Sequence, residues 1–268
     1  MDIEDEDDRC VSCDKPAVLL VNFPFKSCYP DLWEWNEEDK SHKVQIFGSE
    51  KKIAGFNIPY STGSVGVRAT KPLSRGNRHY WEVYIPSAYG SHMMVGISTK
   101  EANLHLNEWV NLLGQDDQSW AMSHKGLLWH NGKSRRYTDE CEVLEPVLIG
   151  VLFDGYKGTL TYYKDTECLG VAFTGLDKVE KELFPTISST GGDSRINLAL
   201  AVREYTGLQD RCRAAILSKI GNNKKAINSL PLPNKIKEYI EEGYFEKEPE
   251  NRIKMQAPVE LCFLLEKM

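Results

Sequence analysis

The chain has 268 residues, 41% of them hydrophobic, and a formal net charge of -6 at pH 7, which allows one large core or one core with a small appendage. A mean hydropathy of -0.44 with no long uncharged apolar run excludes a helical membrane span. There is no basic stripe to bind a phosphate backbone, so neither membrane nor nucleic acid is an expected partner.

Residues 1–9 carry six acids against Arg9, so most of the net charge belongs to this end. Such a run is the reverse of a signal peptide and predicts a disordered leader over residues 1–17 of a soluble intracellular protein, cytoplasmic or nuclear. Seven scattered cysteines form no disulfide framework, which fits a reducing compartment. Cys10 and Cys13 make a single C-x-x-C. Zinc would need a second ligand pair at metal spacing, and none is evident, so neither metal nor cofactor is expected.

From Val18 to Val202 short alternating runs are separated by Gly, Asn and Asp, the pattern of antiparallel strands. In Arg78 to Pro86, the residues Trp81, Val83 and Ile85 share one strand face. Gly126 to Gly132 ends in Asn-Gly, the strongest short-range hairpin signal. Val147 to Phe153 is a continuous apolar run, Asp154 to Gly158 a turn, and Thr159 to Tyr163 a returning strand. Roughly a dozen such strands without a long helix predict a mainly β fold, a bent antiparallel two-sheet sandwich over residues 18–203.

Motifs for catalysis fail one by one. Gly132-Lys133-Ser134 echoes a phosphate loop, but residue 127, where the first glycine belongs, is leucine. No G-x-S-x-G elbow occurs, and the six histidines show no metal spacing. Asp154 and Asp165 sit in turns, where carboxylates accept backbone hydrogen bonds. No catalytic residue is expected.

The tail, residues 204–243, reads differently. Leu208, Cys212, Ile216 and Ile220 recur every four residues and make a ridge on one helix, with Arg211, Arg213 and Lys219 off it. Thr206 and Gln209 form a capping-box start and Gly221 a stop. Pro231 and Pro233 then present Leu230 and Leu232 on a stiff step. Asn234 is expected to cap a second helix carrying Ile236, Tyr239 and Ile240 and ending at Gly243. Residues 244–268 form a further extension, with a short helix expected near Val259 to Leu265.

This order resembles the SOCS box, whose first helix carries Leu-x-x-x-Cys-x-x-x-aliphatic for Elongin C and whose later Leu-Pro-x-Pro motif faces a cullin. The resemblance puts Leu208, Cys212 and Ile216 at Elongin C, and Leu230, Pro231, Leu232, Pro233, Ile236, Tyr239 and Ile240 at the cullin. Gly207 stands where the family usually has Ser, Thr or Pro. The body resembles the SPRY domain in His79–Ile85, Met94–Ile97, Gln118–Ala121, Leu152–Tyr163, Leu169–Phe173 and Leu183–Ile187. Together they resemble the SPRY domain-containing SOCS box family. The resemblance implies a non-catalytic substrate adaptor whose partners are Elongin C with Elongin B and a cullin-RING scaffold, expected to be the fifth cullin. Its targets would be ubiquitinated and sent to the proteasome.

In related receptors the target is a short Asn-containing peptide held by loops at one end of the sandwich. Carried over by the flanking motifs, those places fall at Ile58, Pro59 and Tyr60, at Ser91, at Trp109, and at Thr190, Gly191 and Gly192. Ile58 replaces the family's arginine and Gly191 its tryptophan, which argues against an acidic Asp-Ile-Asn peptide and for a different Asn-containing degron. The backbone of Gly191 and Gly192 is expected to read a side-chain amide. Trp109 is either the anchor or a core residue. A carbohydrate- or peptide-binding sandwich without a ligase link is the competing reading, and it leaves the tail unexplained.

Overall fold

In the strand Arg78–Ile85 the residues Trp81, Val83 and Ile85 turn into the main core as the alternation predicts. Its other face, Tyr80 and Glu82, is buried as well. The computed structural model describes Phe25, residues 28–142 and 144–204, the positions Leu208, Cys212, Arg213, Ile216, Lys219 and Ile220, and residues 224–241. The expected acidic leader, Cys10 and Cys13, the helix signals Thr206, Gly207, Gln209, Gly221 and Gly243, Arg211, and residues 244–268 lie outside the described residues.

The strands form two antiparallel eight-stranded sheets, more strands than the turn signals suggest. In spatial order the first runs Glu167–Phe173, Thr159–Lys164, Val147–Asp154, Arg78–Ile85, Ser194–Glu204, Ile53–Phe56 and Val44–Phe47, with Cys28–Pro30 paired to Ser194–Glu204. The second runs Lys133–Arg136, Leu127–His130, Ser119–Ser123, Met93–Ser98, Phe184–Ser189, Ser64–Ala69 and Trp35–Lys40, with His105–Leu106 on Ser64–Ala69. The main core lies among their buried side chains, where Trp33 meets Trp35 edge-on at 5.5 Å and Trp81 at 6.4 Å. Burying such a side chain contributes about 1.5–3 kcal/mol.

Local chemistry closes the turns. Asn131 and Gly132 have φ of 52° and 67°, the left-handed pair that a two-residue hairpin requires. This hairpin, not a phosphate loop, accounts for Gly132-Lys133-Ser134. Asp154 Oδ1 accepts the N–H groups of Tyr156 at 3.1 Å and Lys157 at 3.0 Å, and Asp165 Oδ1 that of Leu148 at 3.0 Å. Arg68 is among the charged side chains that the interior takes in. Its buried guanidinium donates to Asp39 at 2.6 Å, Ser98 Oγ at 2.9 Å and the carbonyls of Thr99 and Ala102, satisfying a charge that would otherwise be costly to bury.

Candidate interaction surfaces

At one end of the sandwich the connections 57–63, 86–92, 107–111 and 190–193 are laced together. Trp109 Nε1 donates to Ser61 Oγ at 2.9 Å, and Ser61 Oγ donates to the Thr190 carbonyl. Tyr89 Oη donates to the Gly192 carbonyl, the His92 N–H to Thr190 Oγ1 at 2.9 Å, and His92 Nδ1 lies 3.1 Å from Asn111 Oδ1. Gly90 has φ of 98°, and a Cβ there would stand 3.0 Å from Gly191 N, so two loops meet backbone to backbone where a side chain does not fit. Burial holds the His92 imidazole below its ordinary value against the hydrogen bond to Asn111.

On this frame Tyr60 is 78% and Trp109 54% exposed, so Trp109 is not a core residue. Pro59 and Ser91 are exposed, while Ile58 and Gly192 are half-buried. Two expectations are corrected. Thr190 and Gly191 are interior, and their polar groups are occupied: Gly191 N–H donates to Ser189 Oγ at 3.0 Å, and its carbonyl accepts Ser194 Oγ at 3.3 Å. The Gly192 carbonyl takes the Tyr89 hydroxyl. The Gly191 backbone and the Gly192 carbonyl therefore build the loop and are already engaged before any amide arrives. Ser61, Tyr89, His92 and Asn111 carry no motif; their roles exist only once segments as far as 129 residues apart are joined.

The described helical positions between 208 and 220 sort themselves by angle. At about 100° per residue, Lys219 stands about 20°, Cys212 about 40°, Ile216 about 80°, Ile220 about 120° and Arg213 about 140° from Leu208. Exposure falls in that order: Leu208, Lys219 and Cys212 are exposed, Ile216 and Ile220 half-buried, and Arg213 buried. The ridge exists, but Lys219, expected off it, lies on it; Arg213 lies off it as expected and faces the interior.

A short helix, Lys224–Asn228, was not predicted; five residues are too few to show a period, yet Ile227 is fully buried. The step after it is closed by Leu230 N–H to Ile227 O at 3.1 Å and Leu232 N–H to Leu230 O at 2.8 Å. The last helix is Asn234–Glu241. The Pro233 carbonyl, accepting Ile236 N–H at 2.9 Å and Lys237 N–H at 3.1 Å, opens its ladder, so Asn234 is the first helical residue and not the cap. Pro231, Pro233 and Ile236 are exposed and Leu230, Leu232 and Tyr239 half-buried. Ile240, 1% exposed, is packed inside and does not form part of a contact face.

One constellation carries no sequence motif. Asp31 Oδ2 lies 2.6 Å from His79 Nδ1, and His79 Nε2 lies 2.9 Å from Ser74 Oγ, the connectivity of a hydrolase triad. Nε2 also accepts the Ser74 N–H at 3.1 Å, and Asn77 Nδ2 donates to Ser74 Oγ at 2.8 Å. The Ser74, Arg75 and Asn77 carbonyls converge on Gly155, which is the reverse of an oxyanion hole. These groups pin the 74–77 turn to Asp31. Among the described residues no cluster of three or more His, Cys, Asp or Glu could hold a metal, and no helix is long and apolar enough to cross a membrane.

The SPRY domain family model matches residues 78–200 and the SOCS box model residues 206–241. The SPRY domain-containing SOCS box protein 3 of Xenopus tropicalis is 33% identical over 211 residues, 78% of this chain and 57% of that protein. Protein gustavus of Drosophila melanogaster is 31% identical over 249 residues, 84% of this chain and 86% of that protein. The SPRY domain-containing SOCS box protein 1 of Mus musculus is 29% identical over 222 residues, 78% of this chain and 80% of that protein. The chain thus spans 57% of the length of the Xenopus tropicalis relative and most of the Drosophila one.

Proposed function

The chain belongs to the SPRY domain-containing SOCS box family, and from that footing we propose that it is the substrate-recognition adaptor of an Elongin B/C-cullin-RING ubiquitin ligase. The sandwich, residues 18–203, holds a target protein by its loops; the tail, residues 204–243, docks on Elongin C and on the cullin. The adaptor makes and breaks no bond. It raises the effective concentration of target lysines beside a ubiquitin-loaded partner, and the target is then degraded.

The observation that carries this reading is the contrast between neighbours on one helix. Leu208 is 77% exposed and Cys212 is exposed, while Arg213 is buried. A helix that turns one cation inward and leaves Leu208 and Cys212 outside presents them to another molecule. At the loop end, Tyr60 and Trp109 supply the exposed aromatic area that anchors protein interfaces, with Ile58, Pro59, Ser91 and Gly192 around them and Thr190 and Gly191 supporting from beneath. The partner peptide is a short Asn-containing degron.

Co-expression of the full chain with Elongin B and Elongin C tests the proposal. A three-protein complex is expected to co-purify, and Leu208→Asp or Cys212→Asp should lose it while the sandwich keeps its thermal transition. An unsubstituted chain that elutes free of both Elongins would sink the reading.

A further inference from the structure

The last helix ends without a cation of its own: no basic residue lies in the last turn of Asn234–Glu241. The final carbonyls of a helix lack intrahelical partners and carry the negative end of its dipole, so a donor with positive charge is favoured there. Arg213, some 26 residues earlier in the chain, supplies both. Its Nη1 donates to the Tyr239 carbonyl at 2.8 Å, and its guanidinium carbon lies 4.1 Å from the centre of the Tyr239 ring. It is 1% exposed, a position a guanidinium holds only when paired.

What Arg213 joins is specific. It directly follows Cys212, on the ridge assigned to Elongin C, and Tyr239 lies one helical turn beyond Ile236, on the surface assigned to the cullin. Lys237 Nζ adds a second tie, donating to the Asn228 carbonyl at 2.8 Å across the proline step. We infer that Arg213 is a positioning residue that fixes the Elongin-facing and cullin-facing helices in one relation, so that cullin recruitment depends on a side chain that touches neither partner. Ordering the first helix on Elongin C then pre-organises the last helix for the cullin, which is a coupling between two sites through a shared rigid contact. The inference rests on the adaptor reading above.

The test uses the full chain co-purified with Elongin B and Elongin C, titrated with the N-terminal domain of the fifth cullin. Arg213→Met keeps the aliphatic stem and removes the cap and the stacking. It should retain Elongin B and C at unsubstituted stoichiometry and bind the cullin domain at least about tenfold more weakly. Arg213→Lys, which keeps a cation and a donor, should recover part of that loss, and Tyr239→Leu should weaken the cullin and not the Elongins. Cullin affinity of Arg213→Met within about twofold of the unsubstituted complex overturns the inference. Loss of Elongin B and C by both Arg213 variants also overturns it, because Arg213 then serves only to fold the first helix. An unsubstituted chain that takes no Elongin is a separate outcome, seen before any variant is made, and it removes the adaptor reading and this inference together.

Discussion

The Trp109 indole N–H donates to Ser61 Oγ at 2.9 Å, and that hydroxyl donates onward to the Thr190 carbonyl, so an exposed ring is held by its polar edge to two other loops. A ring already fixed loses little freedom when a partner covers it. Trp109→Ala should therefore cost target binding about 2 kcal/mol or more and leave the unfolding temperature almost unchanged. Quantitative proteomics of proteins retained by the Elongin-bound complex, beside a thermal scan, checks both parts. A large fall in melting temperature would instead make Trp109 a structural residue.

Asp31 should make the sandwich sensitive to acid. Burial raises its carboxyl pKa, but the hydrogen bond and attraction of His79, with Arg203 and Lys71, outweigh this and hold it below the ordinary value. A carboxylate with a lowered folded pKa stabilises above its unfolded value, about 3.9, and that stability is lost as pH falls through the folded value. Asp31→Asn should cost about 2 kcal/mol at pH 7, and the gap to the unsubstituted chain should close as the medium is taken below about pH 4. Urea unfolding at several pH values measures it; a gap that is the same at every pH would remove the charge from the explanation.

Glu82 should act in the opposite sense. Its Oε1 accepts the Tyr80 hydroxyl at 2.7 Å, but its Oε2 is buried with no hydrogen-bond partner among the described residues. Burial raises its pKa, against the pull of the Tyr80 bond. The folded carboxyl thus keeps its proton better than the unfolded one, whose value is about 4.3; the stabilisation is full below that value and fades as pH rises through the folded pKa. Glu82→Gln, neutral at every pH, should gain about 1 kcal/mol at pH 7.5 and nothing near pH 4. Equal destabilisation at both pH values would contradict it.

Signals carried by near neighbours were legible in the sequence, and those that need the folded chain were not. Trp81, Val83 and Ile85 announced a core face because strand periodicity is local, and Asn131-Gly132 announced its turn because few residues accept two positive φ angles. Leu208 and Cys212 were legible through helical spacing. That Arg213 lies off the ridge was legible in the same way, but that it is buried was not, because its partner carbonyl lies 26 residues away. Gly191 looked like open backbone because the side chains that occupy it, Ser189 and Ser194, identify themselves only in the loop's final shape. Asp31, Ser74 and His79 sit in two separate segments, and no spacing rule joins them.

Ile236 and Ile240 lie one turn apart on the last helix, yet one is exposed and the other is 1% exposed. A deletion at each should therefore fail differently. Ile240→Ala leaves a cavity where a fully buried side chain stood, and such truncations cost about 2–5 kcal/mol. The expected results are a lower unfolding temperature for the Elongin-bound complex and weaker cullin binding that follows from it. Ile236→Ala removes only surface, so stability and Elongin retention should be unchanged, while cullin affinity falls by about 1–2 kcal/mol if the side chain is a central contact. Calorimetric titration with the cullin domain and a thermal scan of each complex separate the two. Loss of stability in both variants would place Ile236 in the interior with Ile240 and move the cullin face to Pro231, Leu232 and Pro233.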